Sequence, residues 1–375
     1  RKALPAPDLT DLSTTTFIAP RTLTEQKLAD VWMDVLGLEQ IGLQDNFFEI
    51  GGHSLLAIQL ISKAQRHFGV DFPVAMLFQF PTLGQMATQL QQLDRPQVWT
   101  PMVAMQLAGN RPPFFCVHGV GGNVHRLYPL SQALGPEQPF YGLQAVGVDG
   151  TSSPLNSVEA MATHYLEAIQ TVQPIGPYYL AGYSFGCQVA FEMASQLQAQ
   201  GCEVGRLILL DGGAPAQAIA SDGISPRHTI ERVDWLLNNV RISAQLHEKS
   251  LPEIDEEALR QLDEDDQLQL INQHLQQAGL PTLDNTLLAN FAVFKANMEM
   301  VYTPDQIIDV PTTLLYTAKD DAAVQERWES DTTMGWGRFI KQPVACHLVP
   351  GRHYSMMRKP YVEQMAKILA SILVE

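Results

Sequence analysis

Apolar residues recur at three- and four-residue spacing over residues 20–93, and from residue 112 they gather into short continuous runs between helical stretches. In the first region Thr22-x-x-Glu25 has the form of a capping box. Behind it Leu28, Val31, Trp32, Val35 and Leu36 fall on one helical face that stops at Gly37. A loop rich in turn residues occupies 45–54. A second amphipathic helix then runs from Leu55 through Leu56, Ala57, Leu60, Ile61 and Ala64 to near Gly69, and Thr82-x-x-Gln85 opens a last one through Met86 and Leu90. The pattern predicts a small all-α bundle over 20–93, set between linkers at 1–19 and 94–111.

The second region reads differently. Phe114–Val117 is apolar throughout, as expected of a strand buried on both faces of a parallel sheet. Further strands are predicted at 139–143, 178–183, 206–210, 312–317 and 345–349. Helices are predicted up to Leu134, after Ser157 (Val158, Met161, Ala162, Tyr165, Ile169), over 187–199 and over 360–373. Strands alternating with helices imply a right-handed, doubly wound, mostly parallel sheet. The alternation breaks over about 215–305, a helical and acidic stretch that would lie over the strand ends as a lid.

Within this pattern one turn carries chemistry. Gly182-x-Ser184-x-Gly186 stands between an apolar strand and a helix, the setting of a nucleophile elbow in an α/β-hydrolase. The helix that follows turns its free N–H groups toward any developing oxyanion. A nucleophilic serine needs a base, and His353, directly after the last strand, has the right chain order and position. His67, His228 and His274 read as surface or helix residues, while His118 and His125 in the glycine loop could line the pocket. The acid is left open. Asp211 ends the strand after the elbow, Asp320 and Asp321 follow a later strand, and spacing does not choose between them. In the helical region, Ser54 stands after two glycines at a predicted helix start, a position that suits either an attached phosphate or a plain N-cap.

Composition narrows the partners. A formal charge of −16 argues against nucleic acid and against an anionic membrane surface. The acidic residues between Glu253 and Asp266 read as a solvated helical face. No apolar run is long enough to span a bilayer, and no signal peptide opens the chain. Cys116, Cys187, Cys202 and Cys346 are widely spaced, which suits reduced thiols better than a zinc site or disulfides, so the chain reads as cytoplasmic with no metal. It starts at Arg1 without an initiator methionine, as a piece of something longer would.

Five stretches resemble known families. Asp45-x-Phe47-Phe48-x-x-Gly51-Gly52-His53-Ser54-Leu55 is similar to the phosphopantetheine attachment motif of peptidyl carrier domains of nonribosomal peptide synthetases. Gly182-Tyr183-Ser184-Phe185-Gly186, Leu210-Asp211-Gly212-Gly213 and Gly351-Arg352-His353-Tyr354 resemble the terminal thioesterase domains of the same enzymes. The resemblance implies 4′-phosphopantetheine on Ser54, a Ser184–His353–Asp211 triad, and oxyanion donors at the backbone N–H groups of Phe185 and Val120. It also implies a lid at about 215–305 and release of an acyl or peptidyl thioester by hydrolysis or macrocyclisation, as in antibiotic biosynthesis. Arg1-Lys2-Ala3-Leu4-Pro5 is similar to the tail of an adenylation domain, so upstream adenylation and condensation domains and a phosphopantetheinyl transferase would be partners. The rivals are a stand-alone esterase with a helical docking module and a non-catalytic platform in which Ser184 is only a turn residue.

Overall fold

The computed structural model describes residues 17–52, 54–68, 75–92, 99–215, 232–246, 249–251, 253–280, 282–283, 285–318 and 330–374. They fall into two units divided between Trp99 and Thr100, each with its own core.

In the first unit, helix α1 (Leu23–Leu36) starts where the capping box places it. Glu25 N–H donates to Thr22 Oγ1 at 3.2 Å, and Thr22 N–H donates back to Glu25 Oε2 at 2.9 Å. Helices α2 (Ser54–Phe68), α3 (Ala75–Gln79) and α4 (Leu83–Gln92) follow, and Thr82 and Gln85 make the same reciprocal pair at the start of α4. Phe47 plugs the bundle from the loop before α2. It is fully buried, its ring meets Trp32 edge-on at 5.3 Å, and its N–H donates to Pro81 O at 2.9 Å. Burying such a side chain is worth about 2–3 kcal/mol, so this aromatic of the 45–55 stretch is a packing residue that anchors the loop leading to Ser54.

In the second unit the described strands are β1 (Met102–Gln106), β2 (Phe114–Val117), β3 (Phe140–Leu143), β4 (Tyr178–Tyr183), β5 (Val204–Leu210), β6 (Thr312–Tyr316) and β7 (Ala345–Leu348). Their order in the sheet is β1-β3-β2-β4-β5-β6-β7. Only β1 is antiparallel, pairing Met102 with Leu143 at the sheet's edge. This corrects the reading of 94–111 as linker throughout. Residues 102–106 alternate, with Val103 and Met105 facing the core, but five residues flanked by Pro101 and Gly109 are too short a period to separate from linker. Helices α5 (Tyr128–Ala133), α6 (Val158–Val172) and α7 (Gly186–Ala199) connect the first four parallel strands, and α12 (Tyr361–Ile372) closes the chain. The core between sheet and helices is built from Phe115, Tyr165, Leu180, Phe191, Leu207 and Trp336.

Where alternation was expected to break, the chain forms α8 (Arg232–Leu246), α9 (Glu256–Arg260), α10 (Glu264–Gln277) and α11 (Asn285–Glu299). Val233, Leu236, Val240, Leu259, Ile271 and Leu275 give these helices a core of their own. The acidic run does more than solvate a face. Asp255 and Asp263 cap α9 and α10, each accepting two backbone N–H groups through Oδ1, and the acids behind them sit in the first turns, at the positive end of each helix.

Candidate active site

The carboxyl ends of β4, β5 and β7 converge on one cluster. Ser184 follows β4 with φ +57°, and Asp211 follows β5 with φ +54°, both in the left-handed region that costs a non-glycine residue on the order of 1–3 kcal/mol. The surrounding backbone holds them there. Ser184 N–H donates to Leu210 O and Asp211 N–H to Leu315 O, both at 2.8 Å. The elbow also needs its two glycines: a Cβ on Gly182 would run into the Gly186 carbonyl, and one on Gly186 into the carbonyl of His118. Strand and helix approach too closely there for a side chain.

His353 joins them from the loop after β7. Its Nδ1 lies 2.7 Å from Asp211 Oδ2 and its Nε2 3.0 Å from Ser184 Oγ. A carboxylate only accepts, so Nδ1 carries the proton and the Nε2 lone pair faces the serine hydroxyl. The Asp211 side chain is wholly buried and that of His353 is 31% exposed. Thr317, just past β6, donates its N–H to Asp211 Oδ1 at 2.7 Å and its hydroxyl to Oδ2 at 3.0 Å. Tyr183 stacks on the His353 ring at 5.2 Å and donates its hydroxyl to the His353 carbonyl at 2.6 Å. Burial pushes the Tyr183 phenol well up, so it stays a donor. Sequence reasoning passed over both Thr317 and Tyr183, although each adjoins a residue or strand it had singled out.

A hydroxyl, an imidazole and a carboxylate in this chain of hydrogen bonds can generate a serine nucleophile. The thioesterase domain family matches residues 112–373. The chain belongs to that family. Ahead of this thioesterase domain, residues 26–90 match the phosphopantetheine attachment site. The chain is 31% identical, over 98% of its length, to chondramide synthase cmdD of Chondromyces crocatus, of which it spans 9%. Over 96% of its length it is 30% identical to indigoidine synthase of Dickeya dadantii (strain 3937), of which it spans 24%. A solved four-domain nonribosomal peptide synthetase bound to AMP and glycine aligns over 96% of the chain with a TM-score of 0.60 and 26% identity, the chain spanning 27% of that structure. The chain thus spans only a small part of these relatives.

The other predicted residues fall as follows. Phe185 immediately precedes α7, and Val120 sits in a turn closed by Gly122 N–H donating to Gly119 O at 2.9 Å. His118 does not line a pocket. It is fully buried under the glycine loop, where burial pushes its imidazole down to about 4. His125, only partly buried, opens a 3-10 turn, and burial, then the charge of Arg126, lower the pKa of its imidazole. His67 lies on α2 and His274 on α10, where its Nδ1 faces Leu270 O at 2.8 Å. Asp320, Asp321 and His228 lie outside the described residues, as does His53.

Ser54 is the first residue of α2, a 15-residue helix with no acidic side chain in its first turn. The positive end of that helix faces no competing carboxylate of its own, which fits a phosphodiester at the position. Among the described residues no helix is long and apolar enough to cross a membrane.

Proposed function

We propose that this chain releases an acyl or peptidyl group, held as a thioester on its own carrier region, through an acyl-serine on Ser184. The observation that carries the reading is the hydrogen-bonded series Ser184–His353–Asp211 in a chain that also matches a phosphopantetheine attachment site. The carrier is assigned to 20–93 and the thioesterase domain to 112–375, with the lid at about 215–305. Phosphopantetheine on Ser54 supplies the thiol that carries the acyl group.

His353 Nε2 takes the Ser184 proton, the Ser184 Oγ–carbon bond forms, and the carbon–sulfur bond breaks as His353 returns the proton to the leaving thiolate. Asp211 keeps Nδ1 protonated and stabilises the imidazolium. The N–H groups of Phe185 and Val120 are the proposed oxyanion donors, each worth about 3–4 kcal/mol in such sites. Water, or an amine or hydroxyl of the same acyl chain, then attacks the acyl-serine, giving a free acid or a macrocycle. Tethering donor and acceptor in one chain supplies an effective concentration on the order of millimolar. The natural setting is a cytoplasmic synthetase with adenylation and condensation domains upstream and a phosphopantetheinyl transferase that modifies Ser54.

The test is to load an acyl-phosphopantetheinyl group onto the chain from a synthetic acyl-coenzyme A with a phosphopantetheinyl transferase, 3′,5′-ADP leaving, and to follow the products by mass spectrometry. The wild type is expected to shed the acyl group as acid or macrocycle, and Ser184→Ala to retain it. Release that persists in Ser184→Ala would overturn the reading, and efficient cleavage of free esters with no turnover of the loaded acyl group would favour the stand-alone esterase.

A further inference from the structure

We infer that His118, backed by Tyr165, is a positioning residue for the oxyanion site, acting through the peptide that joins Gly119 to Val120. This rests on the reading that Val120 N–H is an oxyanion donor. His118 Nδ1 lies 2.6 Å from Gly119 O, and its Nε2 lies 2.8 Å from Tyr165 Oη. A carbonyl only accepts, so Nδ1 carries the proton and the Tyr165 hydroxyl donates to Nε2. Histidine and tyrosine are both fully buried. Burial holds the imidazole neutral and the phenol protonated, so this tautomer is kept at working pH.

The Gly119 carbonyl and the Val120 N–H belong to one planar trans peptide and point to opposite sides of it. Drawing the carbonyl onto the buried His118 therefore turns the Val120 N–H away from that histidine. Two further contacts hold the same loop. Gly122 N–H donates to Gly119 O at 2.9 Å, and the buried Asn297 of α11 donates its Nδ2–H to Val120 O at 2.8 Å. The ring of Phe185, whose N–H is the other proposed donor, lies nearly parallel to the His118 ring, at 22° and 6.3 Å between centroids. One neutral histidine thus bonds the peptide that carries one proposed donor and lies beside the ring of the residue that carries the other.

An oxyanion donor acts on the transition state, so misaiming it lowers kcat and leaves substrate affinity alone. In the full chain, His118→Phe is expected to lose roughly ten- to a hundred-fold in kcat for an acyl thioester, with KM within about two-fold. Affinity for an acyl trifluoromethyl ketone, whose adduct carries the oxyanion, should fall by the same factor, and affinity for the matching unreactive amide should not. His118→Asn, which keeps an N–H near the Gly119 carbonyl, should recover most of the loss. Unchanged kcat and ketone affinity in folded His118→Phe would overturn the inference, and so would equal losses for ketone and amide. If His118→Phe does not fold, Tyr165→Phe is read the same way: a several-fold fall confined to kcat and the ketone supports the inference, and no change overturns it. Replacing Val120 by its α-hydroxy acid, which exchanges the N–H for oxygen, tests the underlying reading. No loss there removes Val120 as a donor, whereas a loss there with none in the His118 and Tyr165 variants overturns only the positioning role.

Discussion

The two serines at the centre of this chain are placed by one device and depend on the rest of the fold to very different degrees. Ser54 opens α2 after Gly51-Gly52, and Ser184 stands two residues before α7 between Gly182 and Gly186. Both use a helix N-terminus reached through small residues. Under the proposed reading Ser54 is modified by another enzyme, so the bundle has only to present it, and the loop before it is pinned by one buried aromatic, Phe47. Ser184 depends on partners 169 residues away at His353, which in turn depends on Asp211 across 142 residues. A modification site can be a local feature of the chain, whereas a nucleophile with its base and orienter is a property of the sheet.

The largest effect that would break this comparison is all-or-none. With coenzyme A and a broad phosphopantetheinyl transferase, intact-mass analysis should show one phosphopantetheinyl addition on the wild type and none on Ser54→Ala. An addition that survives the substitution would move the attachment elsewhere.

Next comes the orienting acid. Asp211→Asn should cut acyl transfer by about ten-thousand-fold while the protein stays folded, because an amide favours the wrong imidazole tautomer and cannot stabilise the imidazolium. Asp320→Asn and Asp321→Asn should each cost far less. Hydrolysis of a simple acyl thioester by the three variants, with melting temperature as the folding check, decides between the strands. A crippled Asp320→Asn or Asp321→Asn beside a near-normal Asp211→Asn would place the acid after β6.

A third prediction concerns pH and stability. The folded pKa of His118 is about 4 against an ordinary 6.5, so between those values the unfolded chain binds a proton that the folded chain refuses. The contribution of His118 to the stability of the sheet unit is therefore fully present above about pH 6.5 and is lost as the pH falls through that range, by up to about 3 kcal/mol near pH 4. Thermal unfolding from pH 7 to 4.5 should show a steeper decline for the wild type than for His118→Asn. Equal slopes would mean that the buried histidine is not the group that titrates.

The smallest effect sharpens the site itself. Thr317→Val removes the hydroxyl that donates to Asp211 Oδ2 but keeps the backbone donor to Oδ1. About 1 kcal/mol, or roughly a five-fold lower kcat, is expected. A loss above a hundred-fold would give the threonine a larger part in holding the carboxylate.

Much of this protein is written in local sequence. Capping boxes at Thr22 and Thr82, continuous apolar runs at Phe114–Val117 and Tyr178–Tyr183, and the glycines around Ser184 each need only a few neighbouring residues to act. They dictate helix starts, buried parallel strands and a tight elbow, because hydrogen bonds to the first turn, burial on both faces and close backbone approach are short-range requirements. His353 was legible for the same reason, as the histidine directly behind the last strand.

Other features became visible only in the tertiary structure. Spacing left Asp211, Asp320 and Asp321 open, since β5 and β6 end at the same edge of the sheet, and resemblance alone favoured Asp211. In the fold, it is Asp211 whose buried carboxylate meets His353 Nδ1 and takes both donors of Thr317. Met102–Gln106 became a strand because the exposed side of β3 was there to pair with it. His118, in a glycine loop, could by its place have lined the pocket, yet packing turned it inward onto Tyr165. Whether a side chain beside a strand end faces the solvent or the core depends on what lies across the sheet from it, and that neighbour is chosen by strand order, which no local spacing encodes.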